Sequence, residues 1–132
     1  MLFRSRLVEQ RPDDIETVLA LANLQRARKQ FADAAETYSR ALKLSNGGRS
    51  DWSTYYARGI SYERAKQWPK AESDFKKALD LFPDQPLVLN YLGYSWVDQG
   101  LNVSEAFKML RRAVELRPTD GYIIDKIGRA HV

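Results

Sequence analysis

A chain of 132 residues, 44% of them hydrophobic, is long enough for one domain with a core of its own. Its net charge of +4 comes from Lys and Arg interspersed with Asp and Glu, the pattern of solvated helix surfaces and not of a segregated nucleic-acid face. With no cysteine there are no disulfides or thiolate sites, and no apolar run reaches the length of a helical membrane span.

In chain order, residues 1–14 read as the end of a preceding repeat, with Leu7, Val8 and Pro12 closing a helix. Arg4, Arg6 and Glu9 stand where a signal peptide needs an uninterrupted apolar core. The first unit, residues 15–48, places Val18, Leu21 and Ala22 at helical spacing, then Phe31 at a turn, then Ala34, Tyr38, Ala41, Leu42 and Leu44 on a second helix. Asp13 or Asp14 supplies an N-cap acceptor. Asn46 to Ser50 is a glycine-bearing surface loop. It is not a phosphate loop, because no Gly-Lys-Ser/Thr follows Gly47 and Gly48 and no strand precedes them.

The second unit, residues 52–85, follows Asp51 as a candidate cap. Tyr55, Gly59 and Tyr62 form one stripe and Ala71, Phe75 and Ala78 another, on either side of a break at Lys66 to Pro69. Pro69 belongs in the first turn of the second helix, where a missing amide costs little. Arg58 sits on a core-facing position. Its expected disposition is a packed stem with the guanidinium reaching the edge, the alternative being a buried pair with a carboxylate of a neighbouring helix. The third unit, residues 86–120, carries Leu89, Leu92, Gly93 and Trp96, then Ala106, Leu110, Ala113, Val114, Leu116 and Pro118. Asn102 with Glu105 reads as a start to its second helix, and Trp96 is expected to fill space between helices. Residues 121–126 begin a further repeat with Tyr122, Ile123 and Ile124.

The stretch from Trp52 to Gln85, with Tyr55, Gly59, Tyr62, Trp68, Ala71, Phe75, Ala78 and Pro83, resembles the tetratricopeptide repeat of roughly 34 residues. The resemblance implies an all-α, right-handed solenoid of about six to seven antiparallel helices. Tyr62 to Arg64, Ala71 to Phe75, Leu89 to Trp96 and Arg117 to Asp125 are also similar to a family of longer bacterial repeat proteins whose molecular role is poorly defined. That implies an internal piece of a longer solenoid, with the compartment, cytoplasmic or cell envelope, left open. Residues 127–132, Ile-Gly-Arg-Ala-His-Val, match the translation of a widely used short-read sequencing adapter up to its stop codon, and are set aside as an artefact.

Catalytic constellations are scarce. The single histidine, His131, lies in that suspect tail, so no Ser-His-Asp, Cys-His or histidine-rich metal scheme can be assembled. No enzyme activity and no cofactor is expected. Asp13 and Asp14 fall at a helix start, where capping accounts for them.

The resemblance implies a protein-interaction scaffold whose first helices line a concave groove for an extended peptide or a partner helix. Carried over by position, the groove takes Asn23 and Arg26 from the first unit, Tyr56, Ile60, Glu63 and Arg64 from the second, and Asn90, Tyr94, Val97 and Asp98 from the third. The expected partner is a protein or peptide and not nucleic acid, with self-association through exposed repeat ends. The alternatives are a structural spacer within a larger assembly and a substrate-presenting part of an enzyme whose catalytic domain lies elsewhere. The carboxylate clamp of chaperone-binding repeats is not expected: only Asn23 matches it, while Leu19, Ala57, Leu87 and Tyr91 occupy the other positions.

Overall fold

The computed structural model describes residues 14–116, so the expectations on residues 1–13 and 117–132 lie outside the described residues. Among the described residues there are six α-helices and no strand: α1 (Ile15–Ala27), α2 (Phe31–Leu44), α3 (Trp52–Arg64), α4 (Trp68–Leu81), α5 (Pro86–Gln99) and α6 (Val103–Leu116). A 3₁₀ turn, Arg49–Asp51, precedes α3. The chain divides after Leu81 into two compact units, the first holding α1 to α4 and the second α5 and α6.

In the first unit, α1 begins where the Asp14 carboxylate accepts the Glu16 amide at 3.0 Å, so of the two candidate caps Asp14 does the capping. Val18 and Ala22 on α1 and Ala34, Tyr38 and Ala41 on α2 are buried. A core cluster of Ala22, Ala34 and Tyr38 takes in Leu19 and, from α3, Ala57. The same helix then turns another face to α4. There Gly59 opposes the Phe75 ring so closely that a Cβ on it would lie 2.7 Å from Phe75 Cε1. Glycine is needed because the aromatic ring occupies the space a side chain would take. Trp68 and Tyr56 extend this contact, their ring centroids lying 6.3 and 6.2 Å from that of Phe75.

Two polar arrangements differ from the sequence expectation. Asp51 does not cap α3 through its side chain. Its backbone is already helical (φ −66°, ψ −10°), and its carboxylate instead accepts the Ser45 hydroxyl at 2.6 Å, closing the glycine loop. Arg58 does not snorkel to the edge. Its guanidinium pairs with Asp74 on α4, which is only 5% exposed at its side chain, and the alternative reading of a buried pair holds. A long side chain on an inward position reaches the carboxylate of the facing helix before it reaches water.

Three helix ends reverse in the same way. After α1 the Lys29 and Gln30 amides donate back to the Arg26 and Gln25 carbonyls; after α3 Lys66 and Gln67 donate to Glu63 and Tyr62; after α5 Gly100 and Leu101 donate to Val97 and Trp96. Each is a Schellman reversal, with its left-handed residue at Lys29 (φ 64°), Lys66 (φ 65°) or Gly100 (φ 70°).

The second unit is a helix pair. Pro86 opens α5, where its missing amide is harmless, and the Gln85 side chain accepts the Leu87 amide at 2.9 Å. Val88, Leu89, Leu92 and Trp96 from α5 and Ala106, Leu110 and Ala113 from α6 are buried. Gly93 repeats the role of Gly59: a Cβ there would lie 3.0 Å from Leu110 Cγ and 3.1 Å from the Ala106 carbonyl oxygen. Leu116, expected on the apolar stripe, is exposed together with Val103 and Phe107. Arg112 is paired with Asp84 at 3.2 Å and Glu115 at 3.4 Å.

Candidate functional site

The first unit contains a cleft of about 280 Å³ lined by Leu19, Asn23 and Arg26 of α1, Tyr38 of α2, and Ser53, Thr54, Tyr56 and Ala57 of α3. Its floor follows from the core. Leu19 and Ala57 are the partly buried rim of the cluster around Ala22, Ala34 and Tyr38, so the cleft opens where that cluster ends.

Tyr38 organises the polar side. Its ring is 1% exposed, and a buried phenol needs partners for its hydroxyl. It finds them on α1, one turn apart: Arg26 Nε donates to the Tyr38 oxygen at 3.0 Å, and the Tyr38 hydroxyl donates to Asn23 Oδ1 through a short hydrogen bond. Asn23 itself is exposed and Arg26 is half-buried, so the ends of the network reach the cleft while its centre is fixed in the core. Nearby, the Ser53 hydroxyl donates to the Ser50 carbonyl at 3.2 Å.

The other expected groove residues have different surroundings. Tyr56 lines the cleft and its ring lies 6.0 Å from that of Trp52. Ile60 and Glu63 are half-buried on α3. Arg64 lies over the Phe31 ring with Cζ 4.9 Å from the centroid, a cation–π contact between α3 and α2. On α5, Tyr94 and Val97 are half-buried and Asp98 is exposed. Asn90 corrects the expectation. It is fully buried, and among the described residues neither its Oδ1 nor its Nδ2 has a hydrogen-bond partner. The helix position that points Tyr56 of α3 into the cleft turns this α5 residue inward, so Asn90 presents no amide at the surface.

Position counting missed the participation of Tyr38, Ser53 and Thr54, and placed Leu19 and Ala57 only at clamp positions and not among the binding residues. One signal was available for Tyr38: a tyrosine on the apolar stripe of α2 must place its hydroxyl somewhere, and Asn23 and Arg26 on α1 are the polar groups within reach. Among the described residues no group of three or more His, Cys, Asp or Glu side chains is placed to hold a metal ion, and no helix is long and apolar enough to cross a membrane.

Two family models, each described as tetratricopeptide repeat, match residues 14–84 and 56–121. Among solved structures, MamA is similar at 18% identity with a TM-score of 0.79, over 96% of this chain and 72% of that one. A chain of the APC/C hetero-tetramer Cut9–Hcn1 is similar at 16% identity and a TM-score of 0.84, over 98% of this chain and 26% of that one. YrrB, a TPR protein with an unusual peptide-binding site, shares 26% identity at a TM-score of 0.76, over 95% of this chain and 62% of its own. The fold class is therefore the all-α tetratricopeptide solenoid.

Proposed function

We propose a function from one premise: this chain belongs to the tetratricopeptide repeat family, a common protein–protein interaction scaffold, and it binds an extended peptide or partner helix in the cleft of its first unit. The observation that carries the reading is the Arg26–Tyr38–Asn23 network, held from the core and ending at a cleft walled by Tyr56. Rigid polar groups beside a flat aromatic and small apolar side chains are the makings of a recognition site, because little ordering entropy remains to be lost on binding. YrrB, with its peptide-binding site, supports the same class of ligand. Repeats of this family are typically scaffolds without catalysis, and that is the role assigned here. Tyr94, Val97 and Asp98 form a separate candidate contact face on α5. The three helix pairs are read as repeat units over residues 15–48, 52–85 and 86–120.

The test is a selection of random phage-displayed peptides on the full chain, followed by affinity measurement on wild type, Tyr56→Phe and Tyr56→Ala. Binding retained by Tyr56→Phe and weakened about tenfold or more by Tyr56→Ala supports the cleft, that being the scale of an aromatic interface anchor. Equal binding by all three removes it and leaves the structural spacer role.

A further inference from the structure

We infer that the segment seated in this cleft carries an acidic side chain, an Asp or Glu, received by Arg26 and Asn23; the inference rests on the peptide-binding reading above.

The protons of the network decide what it can still receive. A guanidinium only donates, so the Arg26 Nε bond to Tyr38 uses a lone pair of the phenol oxygen and leaves the phenol proton free to go elsewhere. That proton goes to Asn23 Oδ1, which occupies the acceptor end of the amide. What the network has left to offer is mainly donors, beside a second lone pair on the Asn23 and Tyr38 oxygens. Asn23 retains its Nδ2 donors, and Arg26 retains its terminal N–H groups, for it makes no ion pair among the described residues.

A ligand that brings acceptors answers most of these groups, the charged guanidinium above all. Among the described residues no carboxylate lines the cleft, so none of them answers the positive charge of Arg26 from within it. A carboxylate satisfies the guanidinium fork with two parallel bonds, which a neutral amide cannot do. Leu19, Ala57 and the Tyr56 ring provide apolar and flat surface for the methylene groups that carry an acidic head, and about 280 Å³ accommodates a side chain of that size. The carboxylate belongs to an internal residue and not to a chain end, because only Asn23 of the clamp positions that hold a terminal carboxylate is present.

The test starts from peptides selected on the full chain whose binding depends on Tyr56, synthesised with an amidated C-terminus. Each Asp or Glu is exchanged in turn for Asn or Gln. The expected result is one position at which the exchange weakens binding about tenfold or more, the scale of a charge-assisted pair. Arg26→Gln should then bind the acidic and amide peptides equally, and Arg26→Lys should keep part of the preference. If Arg26→Gln unfolds, the Arg26 Nε and Asn23 Nδ2 resonances of the wild type serve instead, shifting with the acidic peptide and not with its amide counterpart. Tyr56-dependent peptides that tolerate every exchange, or that bind only with a free C-terminus, overturn the inference while leaving the cleft reading intact. Peptides indifferent to Tyr56 overturn both.

Discussion

Arg58 and Asp74 are joined by two parallel hydrogen bonds, from Nε to Oδ2 at 2.8 Å and from Nη2 to Oδ1 at 2.7 Å, across the packing of α3 on α4. The remaining arm of the guanidinium, Nη1, donates to Ser39 Oγ on α2 at 2.9 Å, so one side chain ties three helices. The rings of Tyr55 and Tyr62 lie 5.5 and 5.6 Å from its Cζ. Removing one partner leaves the other buried and unanswered, so Asp74→Ala should lower unfolding free energy by about 3 kcal/mol in urea denaturation. Replacing both partners, as Arg58→Met with Asp74→Leu, should recover most of that loss.

The hydrogen bond to Asp74 raises the Arg58 pKa above its already high ordinary value, outweighing burial, which lowers it. A raised folded-state value means that this stabilisation is complete below the ordinary arginine range and is lost only as pH climbs through the raised value. The stability gap between wild type and Asp74→Ala should therefore stay constant from neutral to mildly alkaline pH. A gap that closes within that window would contradict the assignment.

Gly59→Ala should destabilise the first unit by about 1–3 kcal/mol, because the new methyl group meets the buried Phe75 ring. The coupling is checked by a double-mutant cycle: in a Phe75→Leu background the same substitution should cost less. Independent, additive effects would show that the helices separate to accept the methyl group.

Lys66 at φ 65° places a side chain in a backbone conformation that only glycine adopts without strain. Lys66→Gly should raise stability by about 1 kcal/mol, seen as a higher thermal midpoint, and Gly100→Ala should lower it by a similar amount. The helix ends were legible in part for this reason. Of the three reversal residues only Gly100 is of a type that favours the left-handed turn, and nothing in Lys29 or Lys66 distinguishes a left-handed turn residue from an exposed helical one. The apolar stripes were legible at most core positions, from Val18 and Ala22 to Ala71, Phe75 and Ala78, because burial leaves a period in the sequence, with Leu116 the exception. The polar pairings were not. Arg58 with Asp74, Ser45 with Asp51 and Tyr38 with Asn23 lie 16, 6 and 15 residues apart, and their partners emerge only once the helices pack.

Asn90 is buried with its amide unpartnered among the described residues, a state that costs about 1–3 kcal/mol. Asn90→Leu keeps the branched shape and removes the orphaned groups, so chemical denaturation should show a gain of about 1 kcal/mol or more. A loss would reveal a polar partner that the amide meets in solution.

The three Schellman reversals carry different residues through one backbone path, with Lys29-Gln30, Lys66-Gln67 and Gly100-Leu101 each donating the same two amides to the carbonyls behind them. The path of the turn thus resides in the main chain, while the residue at its left-handed position sets how much strain the turn carries, least with glycine. Such a joint works as an interchangeable connector. Hairpins from this chain could be transplanted with their own reversals intact, and the corner would reform wherever the flanking helices supply the same open carbonyls.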